Sequence, residues 1–202
     1  MLVVAKKKKA KNIKVPSNLI YEEINGKLLP YKGYLDVLSG KKKIEEIMGS
    51  SSLQSIIVYL LNGFIFNHIN RKKYIAGTNE AGLHLGVGNN LANDIAIFER
   101  ENTILNDKYF ENAPKVVIEI DIKIDLSETE WTNEWDYVIE KSTKMLEFGV
   151  EKIIWITTKS KKIFVGSASE RWYMVDFDED IPLLDDCVLN IAKLLKEEDI
   201  MF

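Results

Sequence analysis

Three residues are suited to do chemistry together: Asp94, Glu119 and Lys141. Asp94 opens a strand-like run, Asp94-Ile95-Ala96-Ile97-Phe98, and Glu119 follows 25 residues later within Val117-Ile118-Glu119-Ile120-Asp121. Two carboxylates on adjacent strands can hold a hard cation, Mg²⁺ or Mn²⁺, which prefers oxygen ligands. A backbone carbonyl near Ile120 would complete the protein's share of the shell. A nearby lysine orients or helps deprotonate an attacking water and offsets charge at phosphorus. Glu119 carries most of this reading, because a glutamate between isoleucines in mid-strand is costly without a partner. Asp94 alone would read as a turn-ending aspartate, and the pairing is what gives it chemical meaning.

Other polar residues have weaker claims. Asp121 either binds a second metal ion or pairs with a lysine. Glu80, in Asn79-Glu80-Ala81-Gly82, is either a further acid at the site or a turn residue. His68 ends an amphipathic helix, where a capping role outranks a ligand role. His84 lies between Leu83 and Leu85 as a sheet-face residue, and two histidines so far apart make a poor zinc site. Cys187, the single cysteine, reads as a buried thiol within Cys187-Val188-Leu189.

The elements that must position these residues follow from periodicity. Asn25-Gly26 between Leu19–Ile24 and Lys27–Leu29 predicts a β-hairpin. Gly49 and Ser50, Ser51 and Ser52 start a helix, in which Leu53, Ile56, Ile57, Leu60, Leu61 and Phe64 recur at steps of three and four as far as His68. Short strands are expected at Lys73–Ala76, Leu83–Val87 and Asp94–Phe98. Alternation over Val116–Ile124 predicts a strand with Val117, Glu119, Asp121 and Lys123 on one face. Trp135–Phe148 reads as a helix burying Val138, Met145 and Phe148 and stopping at Gly149. Strands at Ile153–Thr157, Lys162–Gly166 and Trp172–Phe177 precede a closing helix at Val188–Leu195. This order describes an α/β fold, a mixed sheet flanked by helices.

Of the 202 residues, 46% are hydrophobic, enough for one sizeable core. Six of the 27 basic residues fall in the first 14 positions with no acid among them, leaving 21 basic against 31 acidic residues. Residues 1–16 are therefore a basic tail and 17–202 one acidic domain. The tail offers electrostatic contact to phosphates or is a solvated terminus. No apolar run approaches the roughly 20 residues that span a bilayer, and a lone cysteine fits a reducing compartment. The reading is an intracellular, cytoplasmic protein without a membrane partner.

The order and spacing of several segments resemble the PD-(D/E)XK nuclease superfamily, and more closely a largely uncharacterised restriction-endonuclease-like family multiplied in some bacterial genomes. They are Tyr21-Glu22-Glu23-Ile24-Asn25-Gly26, the helix after Gly49-Ser50-Ser51-Ser52, Asn93-Asp94-Ile95-Ala96, Pro114-Lys115-Val116-Val117-Ile118-Glu119, Glu140-Lys141, Gly149-Val150-Glu151 and Trp155. The resemblance implies Mg²⁺- or Mn²⁺-dependent hydrolysis of DNA, with Asp94 and Glu119 as metal ligands and Lys141 as the catalytic lysine. Homodimers are common in such enzymes that cut two strands.

The sequence also departs from the family. Asn93 replaces a proline before the metal-binding aspartate, and Asp121 stands where the parent superfamily has lysine, which leaves Lys123 as the rival to Lys141. A histidine frequent after the serine-rich helix start is missing, with Leu53 and Gln54 in that neighbourhood. An acidic body with only Arg71, Arg100 and Arg171 as arginines does not suit passive DNA binding. Two other readings therefore stay open: a nuclease fold used as a non-catalytic binding or assembly module, and a hydrolase for a small phosphoester.

Overall fold

In the computed structural model, which describes residues 14–127, 129, 131 and 133–201, the hairpin forms around Asn25-Gly26. Strands β1 (Ile20–Ile24) and β2 (Lys27–Pro30) pair antiparallel across it. Asn25 and Gly26 both take positive φ, 53° and 73°, as a two-residue hairpin turn of this kind requires. Residues 1–13 of the basic tail lie outside the described residues.

Two short helices, α1 (Tyr34–Leu38) and α2 (Glu45–Met48), lead to α3 (Ser52–His68). The Ser51 hydroxyl caps α3 by accepting the Gln54 N–H at 3.1 Å. Its buried face is Gln54, Ile57, Leu60, Leu61 and Ile65. The expected stripe is thus rotated, because Ile56 is exposed and Ile65 and Gln54 face inward. His68 ends the helix with Nδ1 2.8 Å from the Phe64 carbonyl and its ring stacked on Phe64.

The next region corrects the expectation of separate short strands. Strands β3 (Tyr74–Gly86) and β4 (Asn89–Glu99) form one long hairpin, interrupted by a bulge between Thr78 and Ala81. At the bulge Asn79 and Glu80 have φ of 64° and 59°, the local cost of inserting extra residues into a ladder. Asp94 therefore lies in mid-strand and does not open one. Beyond it, β5 (Val116–Ile120) is shorter than expected. The chain turns at Asp121, φ 56°, so Asp121 and Lys123 do not share a strand face with Glu119.

Helix α4 (Glu134–Phe148) is capped by the Asn133 side chain, which accepts the N–H groups of Trp135 and Asp136. It ends at Gly149, φ 115°. Strands β6 (Lys152–Thr157), β7 (Lys162–Ser167) and β8 (Tyr173–Asp176) follow. The closing segment is a second correction: β9 (Ile181–Leu184) and β10 (Cys187–Leu189) pair as a small sheet before α5 (Ile191–Glu197). Asn190 starts α5 by accepting the Lys193 N–H, so helix cannot extend back through Val188. Cys187 is buried there, and burial pushes its thiol up.

The main sheet runs β2-β1-β4-β5-β6-β7-β8, with β3 on the other edge of β4. Strands β5 and β6 are parallel and the other described pairs antiparallel. A parallel pair needs a crossover, which α4 provides. On one face, Ile57, Leu61 and Ile65 of α3 pack against Ile95, Ile118 and Ile154. On the other, Tyr137, Val138 and Met145 of α4 pack against Ala96, Val117 and Trp155. The strands carrying Asp94 and Glu119 are thus held between two helical layers. No described helix is long and apolar enough to cross a membrane.

Candidate active site

Strands β4 and β5 pair through Ile97–Val116, Ala96–Val117 and Ile95–Ile118. One further step of this register would bring Asp94 opposite Glu119. The main-chain ladder stops before that step, and the Asp94 side chain takes its place. Its Oδ2 accepts the Ile120 N–H at 2.8 Å. The Ile120 carbonyl accepts from Gln54 Nε2 at 2.8 Å. The same amide nitrogen lies 3.4 and 3.3 Å from the two Asp94 oxygens.

Glu119, on the α4 side of β5, is buried against Lys141, whose ammonium is 3.0 Å from Glu119 Oε1 and 2.9 Å from Glu22 Oε2. Lys141 also donates to the Ala92 carbonyl at 2.9 Å, and its side chain is 1% exposed. Three oxygens thus surround the ammonium. Glu22 Oε1 accepts from the Tyr137 hydroxyl. The contacts to Glu22 Oε2 and Glu119 Oε1 are ion pairs without aligned hydrogen bonds, so charge rather than directionality holds them.

Lys123 reaches the other side of the acid pair. Its ammonium is 2.8 Å from Asp94 Oδ1 and 3.4 Å from Glu80 Oε1, beside the Tyr21 ring. The β3 bulge places Glu80 there. Asp121 turns away from the pair, accepting the N–H and hydroxyl of Thr158 at 2.8 and 2.6 Å. His84 contacts Asn90, its Nδ1 2.7 Å from Asn90 Oδ1.

The electrostatics follow from three buried carboxylates, Glu22, Asp94 and Glu119, meeting two lysines. Burial raises Glu119, Lys141 opposes this, and Asp94 and Glu22 add to it, leaving its carboxyl pushed up to about 8. Burial opposes the charge on Lys141, but Glu119 and Glu22 outweigh it and hold the ammonium above the ordinary lysine range. Lys123 behaves alike, with Asp94 and Glu80 outweighing burial. Burial and the surrounding carboxylates push the Tyr21 and Tyr137 hydroxyls far up, so both stay neutral.

Glu22, Tyr137 and Gln54 had no place in the expected site. Glu22 and Gln54 each carried a readable signal. Glu22 alternates with Ile24 along β1, both buried, and Gln54 stands on the stripe of Ile57, Leu61 and Ile65. A polar residue on an apolar face needs a partner.

One solved structure with the same architecture is a DUF820 protein of Anabaena variabilis ATCC 29413, whose description as a nuclease is provisional. It superposes with a TM-score of 0.60 at 18% identity, covering 87% of this chain and 89% of that one. The chain has a restriction-endonuclease-like fold. No protein-family model and no curated protein matches it.

The donors suit a hard divalent cation in kind: two buried carboxylates and the Ile120 carbonyl. No group of three or more His, Cys, Asp or Glu is disposed as metal ligands among the described residues. A cation at Asp94 must displace the Lys123 ammonium and compete with the Gln54 amide.

Proposed function

We propose that the chain is a divalent-cation-dependent endonuclease that hydrolyses DNA phosphodiester bonds. The observation that supports this best is the buried Asp94 carboxylate accepting the N–H of Ile120, the residue after buried Glu119, beside the Ile120 carbonyl. Asp94, Glu119 and that carbonyl would hold Mg²⁺ or Mn²⁺. When bound, the ion supplies Lewis-acid polarisation of a phosphoryl oxygen and a more acidic water. Lys141 acts through Glu119. Its ammonium is enclosed and already shared among three acceptors, so it fixes the carboxylate and balances its charge rather than accepting a proton. Lys123, less buried than Lys141 and paired with Asp94, would meet a phosphate once released from the aspartate.

A second reading, a non-catalytic nuclease-fold module, draws on the internal neutralisation of Asp94 by Lys123, Gln54 and the Ile120 N–H. Cleavage of supercoiled plasmid and single-stranded DNA with Mg²⁺ or Mn²⁺ separates the two. The nuclease reading expects wild type to cut and Glu119→Ala to lose at least 100-fold. Equal cleavage by both removes the site, and no cleavage with no cation binding favours the module.

A further inference from the structure

Gln54 is 5% exposed, at a position of α3 where the helical stripe is otherwise apolar. Its backbone N–H is already accepted by Ser51, so capping does not require its side chain. The amide nitrogen sits where three oxygens converge: the Ile120 carbonyl at 2.8 Å and Asp94 Oδ2 and Oδ1 at 3.3 and 3.4 Å. Three oxygen donors around one small positive centre is the arrangement a hard cation seeks. A glutamine has a terminal torsion with two broad, roughly equivalent settings, and turning it exchanges nitrogen for oxygen. Nitrogen inward compensates the oxygens. Oxygen inward repels them unless a cation lies between.

We propose that Gln54 is a cation-site residue, a placeholder through Nε2 when the ion is absent and an oxygen ligand through Oε1 when it is bound. This rests on the reading of Asp94 and Glu119 as a cation site and adds a ligand from the opposite helical layer. It accounts for a buried amide in place of an apolar side chain, and it couples the start of α3 to occupancy of the site.

The test is calorimetric titration of Mn²⁺ into wild type, Gln54→Leu, Gln54→Glu and Asp94→Asn, with thermal melts in EDTA to confirm folding. Leucine removes both donor and acceptor, and glutamate keeps the acceptor while adding charge. The proposal expects wild-type binding that Asp94→Asn abolishes. It also expects at least tenfold weaker binding by Gln54→Leu, and binding by Gln54→Glu that equals or exceeds wild type, even where wild type is too weak to measure. Supporting and proximal ligands typically change affinity by about 10–100-fold. Gln54→Leu binding as tightly as wild type, or tighter, overturns the ligand role and leaves the Asp94 site standing. Should Gln54→Leu fail to fold, weaker binding by Gln54→Glu overturns it instead. Binding indifferent to Asp94→Asn, or none by wild type and Gln54→Glu alike, sinks both the proposal and the site.

Discussion

Replacing Lys141 by methionine keeps the volume of the side chain and removes its charge. The structure fixes the consequences. Glu22 and Glu119 lose a cation at 2.9 and 3.0 Å, and the Ala92 carbonyl loses its 2.9 Å donor. Removing one member of a buried ion pair costs about 3–5 kcal/mol, because the partner's charge stays buried and uncompensated. A domain of this size melts about 2–4 °C lower per kcal/mol, so Lys141→Met should lower the melting temperature by roughly 6–20 °C. Adding Glu119→Gln and Glu22→Gln to Lys141→Met should recover more than half of the loss, since no buried charge is then left. Urea unfolding of wild type, the single variant and the triple variant measures each quantity. A loss below about 1 kcal/mol, or one that the two glutamines leave unchanged, refutes the idea that this lysine neutralises both acids.

Glu119→Gln should change how stability depends on pH in EDTA. The folded carboxyl titrates near 8 against 4.5 for the free group, so the native state holds a proton that the unfolded chain has released across that window. Stability from this group is therefore present at low pH and falls as pH rises towards 8, with a slope of up to about 1.4 kcal/mol per pH unit. The difference between wild type and variant in paired urea titrations should show that slope, and a flat difference contradicts it. Gly149→Ala should destabilise by about 1–2 kcal/mol, because φ is 115° and the new Cβ would lie 3.3 Å from Ala113 Cβ; an unchanged denaturation midpoint argues against it. Lys123→Met frees Asp94 Oδ1 and should tighten Mn²⁺ binding at least threefold in calorimetry, whereas weaker binding would make Lys123 a supporter of the ion rather than its competitor.

The elements were legible where local chemistry decides them. Asn25-Gly26 specifies a hairpin turn, serines followed by an apolar period specify α3, and Gly149 stops α4. The site's sequence-derived members, Asp94, Glu119, Lys141 and Lys123, come together on two ion-pair networks, with Glu80 at the edge of one and Asp121 apart from both. What was not legible depends on register and long-range contact. Alternation over Val116–Ile124 cannot reveal that Asp121 leaves the sheet to bind Thr158, 37 residues later. Strand pattern cannot show that a bulge at Asn79 and Glu80 lets β3 continue for 13 residues. Nor does local sequence connect Glu22 with Tyr137, 115 residues away. Val188 and Leu189 fit either a helical stripe or a strand, and only pairing with β9 decides between them.

The central claim is that Asp94 and Glu119 share one divalent ion. Anomalous diffraction from a crystal soaked in Mn²⁺ tests it most directly. The account predicts a peak about 2.0–2.6 Å from oxygens of both carboxylates, with the Lys123 ammonium moved off Asp94. A crystal that binds Mn²⁺ elsewhere, or none at all with the Lys123–Asp94 pair intact, contradicts it.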